Sequence, residues 1–235
     1  YNHTFYNRSI DNFITIVKTM EVNFMKKLNL QGITYIELLE GSHEWYWGSD
    51  YTAGDLYEAE ELYRSNHSIK SNRLVFIHYP DGTVIEPMKS KVGQYFGKPI
   101  FFDDKIQILL VDFPKSLIHI LQYDHEIKKT ELITTLSLSA TKDCYNLLLY
   151  RTPLMLTRSA HDNVFQILYP QKVDINISET ESFCYRENDR LYFERWIEDP
   201  SYRNEIVVRK YPSGEILEVI PGSLLIMPDG QKWIL

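Results

Sequence analysis

Two stretches of the sequence decide the fold: Arg73-Leu-Val-Phe-Ile-His-Tyr-Pro-Asp-Gly-Thr-Val-Ile-Glu86 and Glu205-Ile-Val-Val-Arg-Lys-Tyr-Pro-Ser-Gly-Glu-Ile-Leu-Glu218. Each has a β-branched run, the motif Tyr-Pro-x-Gly, and a second β-branched run that ends in Glu. Proline presets φ for a turn, the Asp or Ser side chain accepts hydrogen bonds from the turn backbone, and Gly supplies a positive φ. Both stretches therefore predict a β-hairpin.

The hairpin recurs at a nearly constant spacing. Weaker copies lie between the two, and the marker tyrosines Tyr79, Tyr123, Tyr169 and Tyr211 are 44, 46 and 42 residues apart. A second, offset hairpin is predicted to turn at Asp103-Asp104, near Arg151-Thr152, at Glu187-Asn188 and at Pro228-Asp229-Gly230. Each period thus contains two hairpins, or four short strands, and a repeat of roughly 40–45 residues with four strands is typical of a β-propeller blade.

These units predict a single all-β domain over residues 1–235, a five-bladed β-propeller. Its blades are expected at 31–91, 92–140, 141–178 and 179–222, and the fifth joins 223–235 to 10–30. The segments 12–17 and 22–27, with a break near 18–21, predict the hairpin that completes the last blade, so that hairpins from both termini close the ring and leave no open sheet edge. A pair of antiparallel sandwiches or an irregular meander are the alternatives, because regularly spaced hairpins occur in those folds as well.

The first blade carries an insertion, since its turns at Gly41 and Pro80 are 39 residues apart. Asp55 as an N-cap, with Glu58 three positions later, predicts one short helix there. The predicted packing face contains Leu56, Ala59, Leu62 and Tyr63. The residues expected nearer solvent are Tyr57, Glu58, Glu60 and Glu61.

The insertion also carries most of the charge. Residues 31–70 hold eight acidic and two basic side chains, so they account for −6 of the net charge of −7. An acidic, aromatic surface suits a basic peptide or protein segment. The candidate ligand-binding residues are Trp45, Tyr46, Trp47, Asp50, Tyr51, Tyr57, Glu58 and Glu61. Alternatively, the aromatic side chains anchor the helix in the core; because a strand alternates, Trp45 and Trp47 face one side and Tyr46 the other.

Composition and motifs exclude several classes of partner. The net charge of −7 provides no basic face for nucleic acid, and no apolar run is long enough to span a bilayer. The first residues lack the basic segment followed by an apolar segment that is typical of a leader. The sequence does not determine the cellular compartment. Cys144 and Cys184 are predicted to be buried small hydrophobes. We expect no metal and no cofactor, because neither a metal-ligand cluster nor a glycine-rich phosphate loop is present.

The leading functional hypothesis is a non-catalytic binding or scaffold propeller whose protein or peptide ligand contacts the insertion. The alternative is a carbohydrate-binding propeller, in which an exposed Trp or Tyr stacks on a sugar. A glycoside hydrolase with paired carboxylates around the central funnel is a third hypothesis. The predicted inner strands are nearly all apolar, with Glu37, Asp103 and Asp104 as exceptions, which favours a filled channel, and no catalytic residue is assigned.

Overall fold

The structure is a computed structural model that describes residues 25–67, 69–227 and 230–235. Over these residues the chain is all-β, as predicted, with five antiparallel sheets, one α-helix and a 3-10 turn at Leu138–Ala140. None of the described sheets closes into a barrel. The hairpin predicted from 12–17 and 22–27 lies almost wholly outside the described residues.

The five sheets follow one another along the chain. Sheet 1 contains β1 (Glu37–Leu38), β2 (Trp45–Ser49), β3 (Leu74–His78) and β4 (Val84–Ile85), and sheet 2 contains β5 (Gln94–Phe96), β6 (Ile100–Phe102), β7 (Lys105–Asp112), β8 (Leu117–Asp124) and β9 (Lys129–Ser137). Sheet 3 contains β10 (Leu148–Tyr150), β11 (Met155–Ser159), β12 (Val164–Tyr169) and β13 (Val173–Asn176). Sheet 4 contains β14 (Glu181–Glu187), β15 (Arg190–Ile197), β16 (Arg203–Lys210) and β17 (Ile216–Pro221), and sheet 5 contains β18 (Leu224–Ile226) and β19 (Lys232–Ile234). Sheets 1, 3 and 4 are four-stranded meanders, whereas β5 and β6 both pair with β7, and each sheet falls within one predicted repeat unit.

The two predicted kinds of hairpin occupy different places in the sheets. The Tyr-Pro-x-Gly turns join the third and fourth strands of sheets 1 and 4, where Gly82 and Gly214 have φ of +69° and +74°. The offset hairpins join β6 to β7, β10 to β11, β14 to β15 and β18 to β19. The third offset hairpin has its turn at Asn188-Asp189, one residue later than predicted. The turn of the fourth lies partly outside the described residues.

Sheets 1 to 4 pack face to face in succession, and β7 shows how. Ile106, Ile108 and Leu110 belong to the core that sheet 2 shares with sheet 1. Leu109 and Val111, which alternate with them, belong to the core that sheet 2 shares with sheet 3. A central strand with both faces covered is apolar on both faces, which explains the apolar run at 108–111 in β7. Sheets 3 and 4 share a further core, which contains Phe165 and Phe193.

The helix α1 (Leu56–Arg64) lies in the connection from β2 to β3, where the insertion predicts it. The Asp55 carboxylate caps it by accepting hydrogen bonds from the backbone N–H groups of Tyr57 and Glu58, at 2.9 and 3.0 Å. Leu56 and Ala59 are buried in the core that sheets 2 and 3 share. The helix is therefore packed on the sheets rather than free in solution.

The position of Glu60 corrects the prediction that it lies near solvent. Glu60 is only 5% exposed, its carboxylate accepts a hydrogen bond from the Cys144 N–H at 2.8 Å, and it forms an ion pair with Arg64. The physical reason is that α1 lies against the chain just before β10, whose unpaired N–H needs an acceptor. Helical periodicity places Glu60 beside Ala59 but contains no information about that distant donor.

Glu60→Ala is expected to lower the free energy of unfolding by about 2 kcal/mol, since it leaves the buried Cys144 N–H without an acceptor. Urea unfolding measures this change. Glu61→Ala, which removes the same charge from the exposed side of α1, is the matched control and should change stability by less than about 0.5 kcal/mol. Equal effects of the two substitutions would contradict a structural role for Glu60.

Candidate functional site

The two tryptophans of the predicted site lie in the core. Trp45 and Trp47 are 6% and 4% exposed and pack between sheets 1 and 2, while Tyr46 is half-buried on the opposite face of β2. The predicted alternation along the strand is confirmed. Neither indole ring is accessible to a ligand, because the face of sheet 1 that bears them is covered by sheet 2.

Asp50 contributes to the fold. Its carboxylate accepts hydrogen bonds from the Asn72 side-chain amide at 3.0 Å and from the Arg73 N–H at 2.7 Å. The carbonyl oxygen of the same Asn72 side chain accepts the Phe96 N–H at 2.7 Å. Asp50 therefore holds the residue that links sheet 1 to sheet 2.

Four predicted residues remain at the surface of the insertion: Tyr51, Tyr57, Glu58 and Glu61. Tyr51 is 66% exposed, and Tyr57 is 38% exposed with its ring edge-on to Tyr145 at 5.3 Å. The Tyr145 hydroxyl is 3.0 Å from His161 Nε2. The structure thus keeps part of the acidic, aromatic surface and removes both tryptophans from it.

A cavity of about 850 Å³ lies where the first hairpins of the sheets converge. All five sheets contribute to it, and none of the eight predicted residues lines it. The lining residues are Glu40, Gly41, His43, Phe102, Tyr150, Arg151, Thr152, Pro153, Cys184, Tyr185, Arg186, Glu187, Asn188, Ile226, Gly230 and Lys232. We call this space the central cavity.

The charged side chains of the central cavity come mostly from turns and strand ends. Arg151 Nε lies 3.8 Å from a Glu40 carboxylate oxygen, and Lys232 Nζ lies 3.1 Å from one of Glu187. Arg186, at the end of β14, lies over the Tyr211 ring with its guanidinium carbon 3.6 Å from the ring centroid. Reasoning from the apolar inner strands missed this polar lining, because the turns that join the strands supply it.

Three neutral groups in the central cavity have raised pKa values. Burial, reinforced by the Glu40 charge, raises the pKa of Tyr150 to about 12. Burial also raises the pKa of Tyr185, with further contributions from Tyr192 and Glu187. Burial and the charge of Glu194 raise the pKa of Cys184 to about 11. These three side chains therefore add no negative charge at neutral pH.

Cys184 also corrects a prediction. Cys144 is 1% exposed, as expected for a buried hydrophobe, whereas Cys184 is half-buried and lines the central cavity. The difference arises because Cys184 lies on the first strand of its sheet, beside the opening that the hairpins leave.

Two general findings apply to the described part of the chain. No group of three or more His, Cys, Asp or Glu side chains there could hold a metal ion. Within the same residues, no helix has the length and apolar character needed to cross a membrane. The central cavity and the surface of the insertion are the two candidate sites considered for function.

Cys184 should react slowly with iodoacetamide at pH 8, because its pKa is raised from the ordinary 9.0 to about 11. The thiolate is the reactive form, and a pKa two units higher leaves roughly 100-fold less of it. The labelling rate should rise with pH up to the limit of native stability, and mass spectrometry of the Cys184 peptide measures it. The urea-unfolded chain is the control, and an equal rate in folded and unfolded protein would contradict the raised pKa.

No protein-family model matches the sequence, and a search of curated proteins also finds no match. The geometry of the two candidate sites is therefore what bears on function.

Proposed function

We propose that the chain is a binding protein, built as a five-bladed β-propeller, whose ligand is a small polar organic molecule held in the central cavity. Three observations support the fold: five sheets in chain order, face-to-face packing of sheets 1 to 4, and one cavity that all five line. Propeller blades are antiparallel sheets arranged around a central channel. The alternative of two sandwiches does not account for a cavity shared by all five.

Sheet 5 is the incomplete unit of this ring. Its two described strands leave apolar side chains uncovered, with Leu225 43% exposed, Trp233 49% and Ile234 53%. The proposal assigns the remaining strands of the fifth blade to the predicted runs at 12–17 and 22–27. The described end of the second run, residues 25–27, is not in a strand, and it reaches sheet 1, where Lys26 donates a hydrogen bond to the Asp81 carbonyl group.

The backbone of β19 provides a test of this closure. Ser223 and Leu235 form a hydrogen-bonded pair at 3.0 Å, and bonded pairs alternate along antiparallel strands. The N–H groups of Lys232 and Ile234 therefore point away from β18. If a third strand pairs with β19, these two amides should exchange with solvent at least roughly 100-fold more slowly than unprotected ones.

Amide hydrogen exchange followed by NMR measures this protection, with the Trp233 amide, which faces β18, as the internal control. Deletion of residues 1–24 should abolish the protection of Lys232 and Ile234, whereas deletion of residues 1–9 should preserve it. Free exchange of both amides in the full chain would mean that no strand follows β19 and that the ring is not closed.

The convergence of hairpins from all five sheets on one cavity is the observation that carries the binding proposal. The volume of the central cavity, about 850 Å³, is within the range of small-molecule sites, roughly 300–1,000 Å³. Aromatic side chains and several charged donors and acceptors line it together, as in sites that orient a polar ligand. Carbohydrates, with many hydroxyl groups, belong to the ligand class that such a lining accepts.

The charge arrangement favours binding over glycoside hydrolysis. A glycosidase needs one carboxyl group that donates a proton and a second that acts as base or nucleophile. Both carboxylates of the central cavity instead have cationic partners, Glu40 with Arg151 and Glu187 with Lys232. The proposal is therefore binding without catalysis.

Ile226→Trp should block the central cavity and abolish ligand binding there. Ile226 lines the cavity and is 42% exposed, so the larger indole can be accommodated without disturbing the core. Saturation-transfer NMR with a library of neutral sugars, sugar phosphates, amino acids and small carboxylic acids identifies ligands of the wild type. We expect at least a tenfold loss of affinity for them in this variant.

Leu225→Trp is the matched control for this experiment. Leu225 is the neighbouring residue, is equally exposed at 43%, and faces the other side of β18, because side chains alternate along a strand. Ligands should bind this variant as they bind the wild type. Equal binding to both variants, or no binding by the library, would contradict a ligand site in the central cavity.

The surface of the insertion supports a second candidate function, the binding of a basic peptide. The observation in its favour is the exposure of Tyr51 and Tyr57 beside Glu58 and Glu61, neither of which forms an ion pair with another described residue. Tyr57→Ala should lower the affinity for a peptide bound there, and Ile226→Trp should leave that affinity unchanged. This pair of variants distinguishes the two sites.

A further inference from the structure

The charge balance of the central cavity bears on the chemical class of the proposed ligand. We propose that a carboxylate or phosphate group of the ligand binds to the Arg186 guanidinium. This inference rests on the proposed binding function and adds to it the chemical class of the ligand. It depends on the charge balance of the cavity and on how Arg186 is held.

The central cavity has one more cation than anion among its permanently charged side chains. Arg151 has Glu40 as its partner, and Lys232 has Glu187. Arg186 has no carboxylate within 4 Å among the described residues. Within the described residues, one positive charge in this partly enclosed space is therefore left without a carboxylate counterion.

Elsewhere in the described chain, arginines removed from solvent are neutralised. Arg158, 1% exposed, donates to Asp143 and Asp162 at 2.7–2.9 Å. Arg209, 8% exposed, forms a two-pronged pair with Glu181 at 3.0 Å on both contacts. Among the described arginines that are not fully exposed, Arg186 is the one without such a partner.

Arg186 is nevertheless held in place by uncharged groups. Its Nε donates to the Asn188 carbonyl oxygen at 2.9 Å, and its guanidinium carbon lies 3.6 Å from the Tyr211 ring centroid. Nη1 has only the weak acceptor Met155 Sδ at 3.9 Å, and no described residue accepts from Nη2. The group is thus oriented in advance, with its terminal nitrogens available for an additional acceptor.

An oxyanion is the acceptor that this arrangement fits. A planar guanidinium binds a carboxylate or phosphate through two parallel N–H···O bonds, and a fixed orientation reduces the entropy lost on binding. The neighbouring phenol and thiol groups of Tyr150, Tyr185 and Cys184 are protonated at neutral pH and do not repel an anion. Glu40 and Glu187 disfavour ligands that carry negative charge at several positions.

Titration of the folded full chain with sodium acetate and with methyl phosphate, at constant ionic strength, tests the inference. The side-chain Nε–Hε NMR signal of Arg186, assigned by its loss in Arg186→Lys, reports binding directly. We expect a saturable shift with at least one of the two anions. Acetate binding identifies a carboxylate ligand, and methyl phosphate binding identifies a phosphorylated one.

The variants distinguish recognition by the guanidinium from a general effect of charge. Arg186→Gln should weaken anion binding at least tenfold, and Arg186→Lys, which keeps the charge without the two-pronged geometry, at least threefold. Arg190→Gln is the matched control: it removes the same charge from an exposed arginine of the same hairpin and should change affinity less than twofold. The thermal unfolding midpoint of each variant confirms that it is folded.

Two outcomes would overturn the inference: no saturable shift with either anion, or equal losses in Arg186→Gln and Arg190→Gln. Its failure is separable from failure of the proposed function. Suppose that neutral ligands fail to bind Ile226→Trp but bind Arg186→Gln normally. The central cavity is then still the binding site, and the proposal of an anion at Arg186 is wrong. If the wild type binds no ligand, neutral or anionic, both the proposed function and the anion site at Arg186 are wrong.

Discussion

The structure depends on the requirement that a sheet with two apolar faces be covered on both. Sheet 2 shows this constraint most clearly, because alternate residues of β7 belong to the cores shared with sheet 1 and with sheet 3. A sheet covered in this way needs a neighbouring sheet on each side. Each neighbouring sheet that is apolar on its other face needs a further sheet to cover that face. The succession of sheets along the chain follows from this requirement, whereas sheet 5 keeps exposed apolar side chains in the described residues.

Polar contacts fix how the sheets sit against one another, because apolar packing alone has little directionality. The buried Asn72 links Asp50 on the sheet 1 side to the Phe96 backbone of sheet 2. Glu60 ties α1 to the chain that leads into sheet 3. Residues that appear functional in the sequence, Asp50 among them, thus turn out to bond across elements that are distant along the chain.

The same geometry creates the central cavity. The first hairpin of each sheet turns on the same side of the fold, so turn residues from distant parts of the chain become neighbours there. Turns carry polar and charged residues because their backbone is near water. A cavity at this place therefore acquires a charged lining even though the strands beneath it are apolar.

The sequence by itself determined the all-β class, the individual hairpins, the N-cap of α1 and the alternation of Trp45 and Trp47, because each of these depends on neighbours within a few residues. Tertiary structure alone decided which face of β2 was covered, the burial of Glu60 and the exposure of Cys184 to the cavity. It also decided that Arg151, Arg186 and Lys232 share one cavity. These outcomes depend on contacts between residues tens of positions apart, and a single sequence without its fold carries no record of such distances.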